Sequence, residues 1–192
     1  GEIIYSGVTF AGLVGLYTAQ SPNALTLDTD QRAQGSIWEN IIVALLDKKA
    51  LPPLFLIRQI VATEGVDFPQ AVNELSSAPM FDDSYYIVGG VKPDQGAVVT
   101  RNRLSTADVW MLDAEKGSWF LVETNYDHWT TPPPSDDRRD VAIKAMTSIG
   151  RGDIDATALL AVLNRFPVKN PDTVYTAVMR AKPSLLEAWI QE

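Results

Sequence analysis

The chain has 192 residues, 46% hydrophobic and 21% charged, which suits one domain with a core of its own and hardly two. Sixteen basic against 24 acidic residues leave a formal charge of −8, which argues against a nucleic-acid partner, because a phosphate backbone wants a basic face. With no cysteine and a single histidine, His128, these residues hold no disulfide, thiolate zinc site, iron–sulfur cluster, thiol nucleophile or multi-histidine metal centre, so no metal and no cofactor is expected.

The first quarter reads as strands. Glu2 to Phe10 is rich in Ile, Tyr, Val and Thr, and Leu13 to Thr18 continues in that style. Gly7, Gly12 and Gly15 mark bulges or close backbone approaches. Ser21-Pro22-Asn23 is turn chemistry, and Ala24 to Leu27 follows as a third short strand. Helices come next. Trp38, Ile41, Ile42, Leu45 and Leu46 share one helical face, with Lys48 and Lys49 expected in the last turn. Pro52-Pro53 breaks the chain and opens a second helix through Leu54, Ile57, Ile60 and Val61. Asp67 caps a third, with Phe68, Val72 and Leu75 inward. The longest apolar runs, such as Pro52 to Ile57, are far below the ~20 residues of a membrane span.

Strands return at Ser84 to Val88, Ala97 to Arg101, Ala107 to Leu112 and Trp119 to Thr124. Their short joints predict an antiparallel meander. After the proline-rich Trp129 to Pro134, Asp136-Asp137 starts a helix through Ile143 and Met146, and Asp155 caps another through Leu159, Leu160 and Leu163. Thr173 to Met179 and Leu185 to Ile190 read as a closing hairpin, although propensity alone also allows a helix for the second segment. Alternating blocks of strands and helices give an α+β class with stacked antiparallel sheets and helices outside.

Three blocks stand apart from this generic pattern. They are Thr9-Phe10-Ala11-Gly12-Leu13-Val14-Gly15-Leu16-Tyr17-Thr18, then Tyr85-Tyr86-Ile87-Val88-Gly89-Gly90 followed by Val99-Thr100-Arg101-Asn102-Arg103, and then Glu123-Thr124-Asn125-Tyr126-Asp127-His128-Trp129 followed by Asp136-Asp137-Arg138-Arg139. In this order and spacing they resemble the large subunit of N-acylethanolamine-hydrolysing acid amidase and, more distantly, acid ceramidase, within the N-terminal nucleophile hydrolases. The resemblance implies an αββα sandwich and one large-subunit domain over residues 1–192, with the N-terminal strands upstream. It also implies a self-cleaving precursor whose large subunit opens on a cysteine that attacks a fatty amide, with its own α-amino group as base. The expected partners are therefore a fatty amide substrate, an upstream cysteine-bearing segment and a small subunit.

Carried over by position, the family asparagine falls on Asn125 and its second arginine on Arg138, which makes these the expected catalytic residues. An amide donor stabilises the oxyanion of a tetrahedral intermediate, and a guanidinium holds a hydrogen-bond network without titrating. The family glutamate falls on Gln31, which keeps the shape and loses the charge. The tryptophan of the acyl site falls on Tyr17. These two are the expected substrate-binding positions. By themselves, Asn125 reads as a turn residue, Arg138 as a partner of nearby carboxylates and His128 as packing. The helices Trp38–Leu46 and Leu54–Val61 read as core helices, whereas the resemblance implies that such a pair docks to lipid; a protein neighbour is the other reading. The resemblance implies a lysosomal location, while the lack of Asn-x-Ser/Thr sequons and of cysteine leaves another organelle open. The expected function is the large-subunit portion of a cysteine-type amidase acting on N-acylethanolamines or related fatty amides. The alternative is a catalytically silent relative that serves as a structural subunit of a larger assembly.

Overall fold

The computed structural model describes residues 2–33 and 36–191. Six strands pair in sequence order, each antiparallel to the last: β1 (Ser6–Val8), β2 (Thr18–Ser21), β3 (Leu25–Gln31), β4 (Ser84–Gly89), β5 (Gly96–Arg101) and β6 (Thr106–Met111). Between β3 and β4 run α1 (Ile37–Leu46), α2 (Pro53–Val61) and α3 (Phe68–Ser77). After β6 come α4 (Arg138–Ile149), α5 (Ala156–Leu163) and the hairpin β7 (Tyr175–Arg180) with β8 (Leu185–Ile190).

The sheet has two unlike faces because side chains alternate along each strand. On one face Ala19, Leu25, Leu27, Tyr86, Val88, Ala97 and Val99 meet Leu56, Ile57, Ile60 and Val61 of α2 and Phe68, Ala71 and Leu75 of α3, all buried. Each such Leu, Ile or Val contributes roughly 1.5–3 kcal/mol by leaving water. Buried Arg101 ties α3 to the sheet by donating to the carbonyls of Leu75 and Ala78, where a cation suits the helix C-terminus. On the other face lie Thr18, Gln20, Asp28 and Asp30, and the hairpin covers them: Tyr175 on β7 bonds Thr18, and Gln20 donates to Ser184 in the hairpin turn. α5 packs on β7 and α4 on α5, around a second apolar cluster of Ala142, Ala145, Met146 and Val162 with Trp119, Phe120 and Val122. The layers run α2–α3, six-stranded sheet, hairpin, α4–α5, which is the expected αββα order.

Caps form where short acidic side chains precede a helical run. Asp67 accepts from the Gln70 amide at 2.9 Å and Asp155 from the Ala158 amide at 2.7 Å. Asp137 precedes α4 without a side-chain cap bond; its backbone, at φ −89° and ψ 21°, lacks the extended conformation of the Asp67 and Asp155 caps.

Several expectations are corrected. Residues 13–17 form a loop before β2, held by Leu16 N–H donating to Leu54 O at 3.0 Å. A Cβ at Gly15 would stand 2.5 Å from that of Leu54, so the close approach to α2 requires glycine. Only Ser6–Val8 of the first segment pairs as a strand. Residues 119–124 do not make a seventh strand: Trp119, Phe120 and Val122 are drawn to the second cluster, and the chain leaves the sheet after one bridge between Asp113 and Ser118. Lys48 and Lys49 lie beyond the end of α1, whose cap is Asp47. Leu185–Ile190 is a strand, settled by its full register with β7. The two apolar helices differ. Leu56, Ile57, Ile60 and Val61 of α2 are buried, leaving Phe55 exposed, whereas α1 buries no residue. Among the described residues, no helix is long and apolar enough to cross a membrane.

Candidate functional site

The site begins where β3 ends. Gln31 closes the strand, and its carbonyl accepts a hydrogen bond from Asn125 Nδ2 at 3.0 Å. Asn125 sits at φ 64°, in the left-handed region that Asn tolerates better than most side chains. Glu123 holds this turn, its Oε1 accepting from the amides of Thr124 at 2.8 Å and Tyr126 at 3.2 Å. Arg138, in the first turn of α4, donates Nη2 to Asn125 Oδ1 at 3.2 Å and to Thr124 O at 3.1 Å. It also grips Asp136 through Nε and Nη2, both at 2.7 Å. These partners fix the amide orientation: the oxygen faces the guanidinium and the nitrogen faces β3. One hydrogen of Nδ2 is used on Gln31 O, and the amide has a second to offer.

Below this contact lies a buried clamp. Arg32 donates to both carboxylate oxygens of Asp127, at 2.7 and 2.8 Å, and to Asn102 Oδ1 at 2.6 Å. Tyr85 OH donates to Asp127 Oδ1 at 2.7 Å. The Arg32 hydrogen bonds hold the Asp127 carboxyl below its ordinary range. Arg139 donates to the carbonyls of Tyr126, Asp127 and Thr130. The segment carrying Asn125 is therefore pinned from the end of β3 and Arg32 just beyond it, from β4 and from α4.

Beside Gln31 a cavity of about 530 Å³ opens between the sheet and the hairpin. Phe10, Tyr17, Gln31 and Arg138 line it together with apolar Leu163 and Val168. Tyr17 meets Phe10 edge to face, with ring centres 5.3 Å apart. Asp28 lines the inner wall. Thr18 Oγ1 donates to Asp28 Oδ1 at 2.5 Å, and with that proton committed Tyr175 OH donates to Thr18 at 2.7 Å. Burial, with Asp30 nearby adding its charge, pushes the Asp28 carboxyl up to about 7. Burial raises Asp30 too, against the pull of Arg138. Glu123 is pushed up to about 7, mainly by burial, and its Oε2 is buried without a partner. On this wall, Asp28 changes between its proton-bearing and anionic forms near neutrality.

The structure thus places Gln31, Asn125 and Arg138 in one bonded cluster, with Tyr17 along the same cavity as Gln31 and Arg138. The pairing of Arg138 with Asp136, its ordinary reading, coexists with its bond to Asn125. The sequence reading missed Asp28, Asp30, Thr18 and Tyr175. The alternation of Thr26, Asp28 and Asp30 with Leu25 and Leu27 was visible but is that of a strand with one wet face; only the hairpin turns that face inward. Among the described residues, no group of three or more His, Cys, Asp or Glu side chains could hold a metal ion.

No family model matches the chain. Curated relatives do. The chain is 49% identical over 181 residues to N-acylethanolamine-hydrolyzing acid amidase of Cavia porcellus, covering 94% of this chain and 51% of that protein. It is 37% identical to the amidase of the same name from Caenorhabditis elegans, over 93% of this chain and 50% of that one. It is 30% identical to Homo sapiens acid ceramidase, over 100% of this chain and 49% of that one. The chain thus spans about half the length of these relatives. A solved structure of the Caenorhabditis elegans ortholog of N-acylethanolamine-hydrolyzing acid amidase superposes with a TM-score of 0.86 at 35% identity, covering 100% of this chain and 83% of that one.

Proposed function

The chain belongs to the family of N-acylethanolamine-hydrolyzing acid amidase and acid ceramidase, and from that premise we propose that it is the large-subunit portion of a cysteine-type amidase acting on N-acylethanolamines or related fatty amides. The observation that carries this reading is the Asn125 amide, locked between Gln31 O and Arg138 beside a cavity with an apolar wall. The nucleophile is the thiol of a cysteine-bearing segment upstream, with a small subunit as further partner, and a lysosomal location accompanies this reading.

In the proposed reaction the thiolate attacks the substrate carbonyl, and the free hydrogen of Asn125 Nδ2 donates to the oxyanion. Arg138 keeps Oδ1 turned away so that the nitrogen faces the reacting carbon. Collapse breaks the C–N bond, and the amine leaves with the proton that the cysteine's α-amino group took from the thiol. Water then hydrolyses the thioester to the fatty acid and regenerates the thiol. Tyr17 and Phe10 flank the acyl chain. The exposed apolar face of α1, with Trp38, Ile42 and Leu45, is the surface that meets lipid or a protein neighbour.

The test is to join these residues to a cysteine-bearing segment and assay fatty ethanolamide cleavage. Asn125→Ala should lower turnover by roughly 10²–10³, with a modest fall in melting temperature because Ala fits the left-handed backbone less well than Asn. Full activity in that variant would remove the assigned role. One observation favours the silent alternative: Gln31 presents an amide to the cavity where the family has a carboxylate. A gain of about tenfold or more in Gln31→Glu, about 1.4 kcal/mol of barrier, marks a weakened site. No activity with either residue, in folded protein, moves the assignment to a structural subunit.

A further inference from the structure

The hairpin β7–β8 is a sheet of two strands, with α5 packed on β7. Two strands alone make a marginal sheet. Antiparallel partners alternate between pairs that exchange both backbone hydrogen bonds and pairs that exchange none. The Gln191 amide donates to Val174 O at 2.9 Å, which sets the phase. Thr176 and Val178 therefore bond to β8, whereas Tyr175, Ala177 and Met179 turn their N–H and C=O to the opposite edge. Among the described residues, no backbone group pairs with that edge.

The edge is sheltered rather than open. Residues 172–177 and Met179 all line the cavity of about 530 Å³, and no residue of β8 does. Successive residues of a strand point to opposite faces, so a cavity lined by all of them runs along the strand's edge. β8 packs near β1 and β7 near β3, so this edge points along the large sheet toward β4. Tyr175 meets Thr18 and Ser184 meets Gln20, while Thr18 pairs with Asp28 and Gln20 with Thr26. β7 thus runs away from Gln31, and the slot along it begins at Gln31 and Arg138. Ala188 and Ile190, on the outward edge of β8, stand in solvent instead.

Backbone groups kept from water need partners, and an added strand supplies them at the right spacing. The facing wall is acidic. Asp28 bonds Thr18, and Asp30 accepts no hydrogen bond among the described residues. The cation on the lining, Arg138, is already gripped by Asp136. In the solved ortholog the match covers 83% of the chain, so that relative holds further residues from which a strand can come.

We propose that the upstream cysteine-bearing segment enters this slot as a strand, pairing backbone to backbone with Tyr175, Ala177 and Met179 and turning a basic side chain toward Asp28 and Asp30. It takes the β7 side of the cavity and leaves Phe10 and Tyr17 to the acyl chain. This deepens the amidase reading made above and rests on it.

The experiment is amide hydrogen exchange, read by NMR, on the protein carrying its own upstream segment. The Tyr175, Ala177 and Met179 amides should exchange about 100-fold more slowly, or slower still, than the outward amides of Leu186, Ala188 and Ile190 on β8. Cross-strand NOEs from the Ala177 amide should lead to residues outside 1–192. Asp30→Asn should speed exchange at Tyr175 by about tenfold and leave Thr176 and Val178, which bond β8, unchanged. Outward β7 amides that exchange as fast as those of β8 overturn the proposal. So do NOEs to a second copy in a mixed-label sample, or protection that appears only when an N-acylethanolamine is added. Protection indifferent to Asp30→Asn overturns the charge pairing. A protected β7 edge in a protein without amidase activity would uphold the strand and remove the functional reading. An active protein whose β7 edge exchanges freely would do the reverse.

Discussion

The two faces of the six-stranded sheet are built from the same strands and do opposite things. The face toward α2 and α3 is dry, and Leu25, Leu27, Ile57 and Leu75 have essentially no exposed surface. The face toward the hairpin is lined with Thr18, Gln20, Asp28 and Asp30, and its contacts are hydrogen bonds rather than interlocked apolar side chains. Neighbouring residues on β3 alternate between these two environments. The difference teaches that stability and chemistry are divided across the thickness of one sheet: the helix side carries the burial, and the hairpin side carries groups whose protonation is held away from its ordinary range.

The harshest way to break the division is to remove charge from the polar side. Asp127→Ala would leave the buried Arg32 guanidinium without its counter-ion, and a loss of about 3–5 kcal/mol in denaturant unfolding at pH 7 is expected. The polar face would then be as necessary to the fold as the apolar one. A loss below about 1 kcal/mol would show the clamp to be dispensable.

Next comes the dry face. Leu27→Ala opens a cavity under α2 and should cost about 2–5 kcal/mol, read as a shift of the urea midpoint without change of slope.

The neighbouring Asp28 should respond with the opposite sign. Its carboxyl is raised from 3.8 to about 7, so between those values the folded chain keeps a proton that the unfolded chain releases. Stability then falls as pH rises through this window and is free of the penalty below it. Asp28→Asn keeps the acceptor for Thr18 and cannot ionise. It should match the parent near pH 4 and exceed it by about 1–2 kcal/mol near pH 7, part of the full shift because the amide must also be desolvated. A variant weaker than the parent at pH 7 would mean that ionised Asp28 supports the sandwich.

The smallest effect belongs to α1. Leu45 is 73% exposed, and Leu45→Ser should leave the unfolding midpoint within about 0.5 kcal/mol. A larger loss would show that the helix packs on something in solution.

Much of this architecture could be read from the chain directly. The helix caps at Asp67 and Asp155, the double proline before α2 and the meander from β4 to β6 each follow from local chemistry. The blocks around Tyr17, Asn125 and Arg138 pointed to one family, and the fold sets Tyr17, Gln31 and Arg138 along one cavity with Asn125 bonded to the last two. Local reasoning failed where a distant element decided the outcome. Residues 119–124 have strand composition, yet Trp119 and Phe120 gain more from the cluster under α4 and α5 than from a place at the sheet edge. Helices α1 and α2 have similar apolar residues, and only α2 is covered.

The sequence by itself determined the periodicities, the turns, the absence of a thiol within these residues and the family to which they belong, because those depend on each residue and its near neighbours. It did not determine which side of β3 would be dry. Asp28 and Asp30 alternate with leucines as in any strand with one face in water, and nothing local announces the hairpin that arrives some 145 residues later to cover them. Tertiary structure alone removed that water, and desolvation is what raises Asp28, Asp30 and Glu123. It likewise brought Gln31 O, the Asn125 amide and Arg138 into one bonded set, since hydrogen bonds between residues 94 positions apart exist only once the sheet has closed.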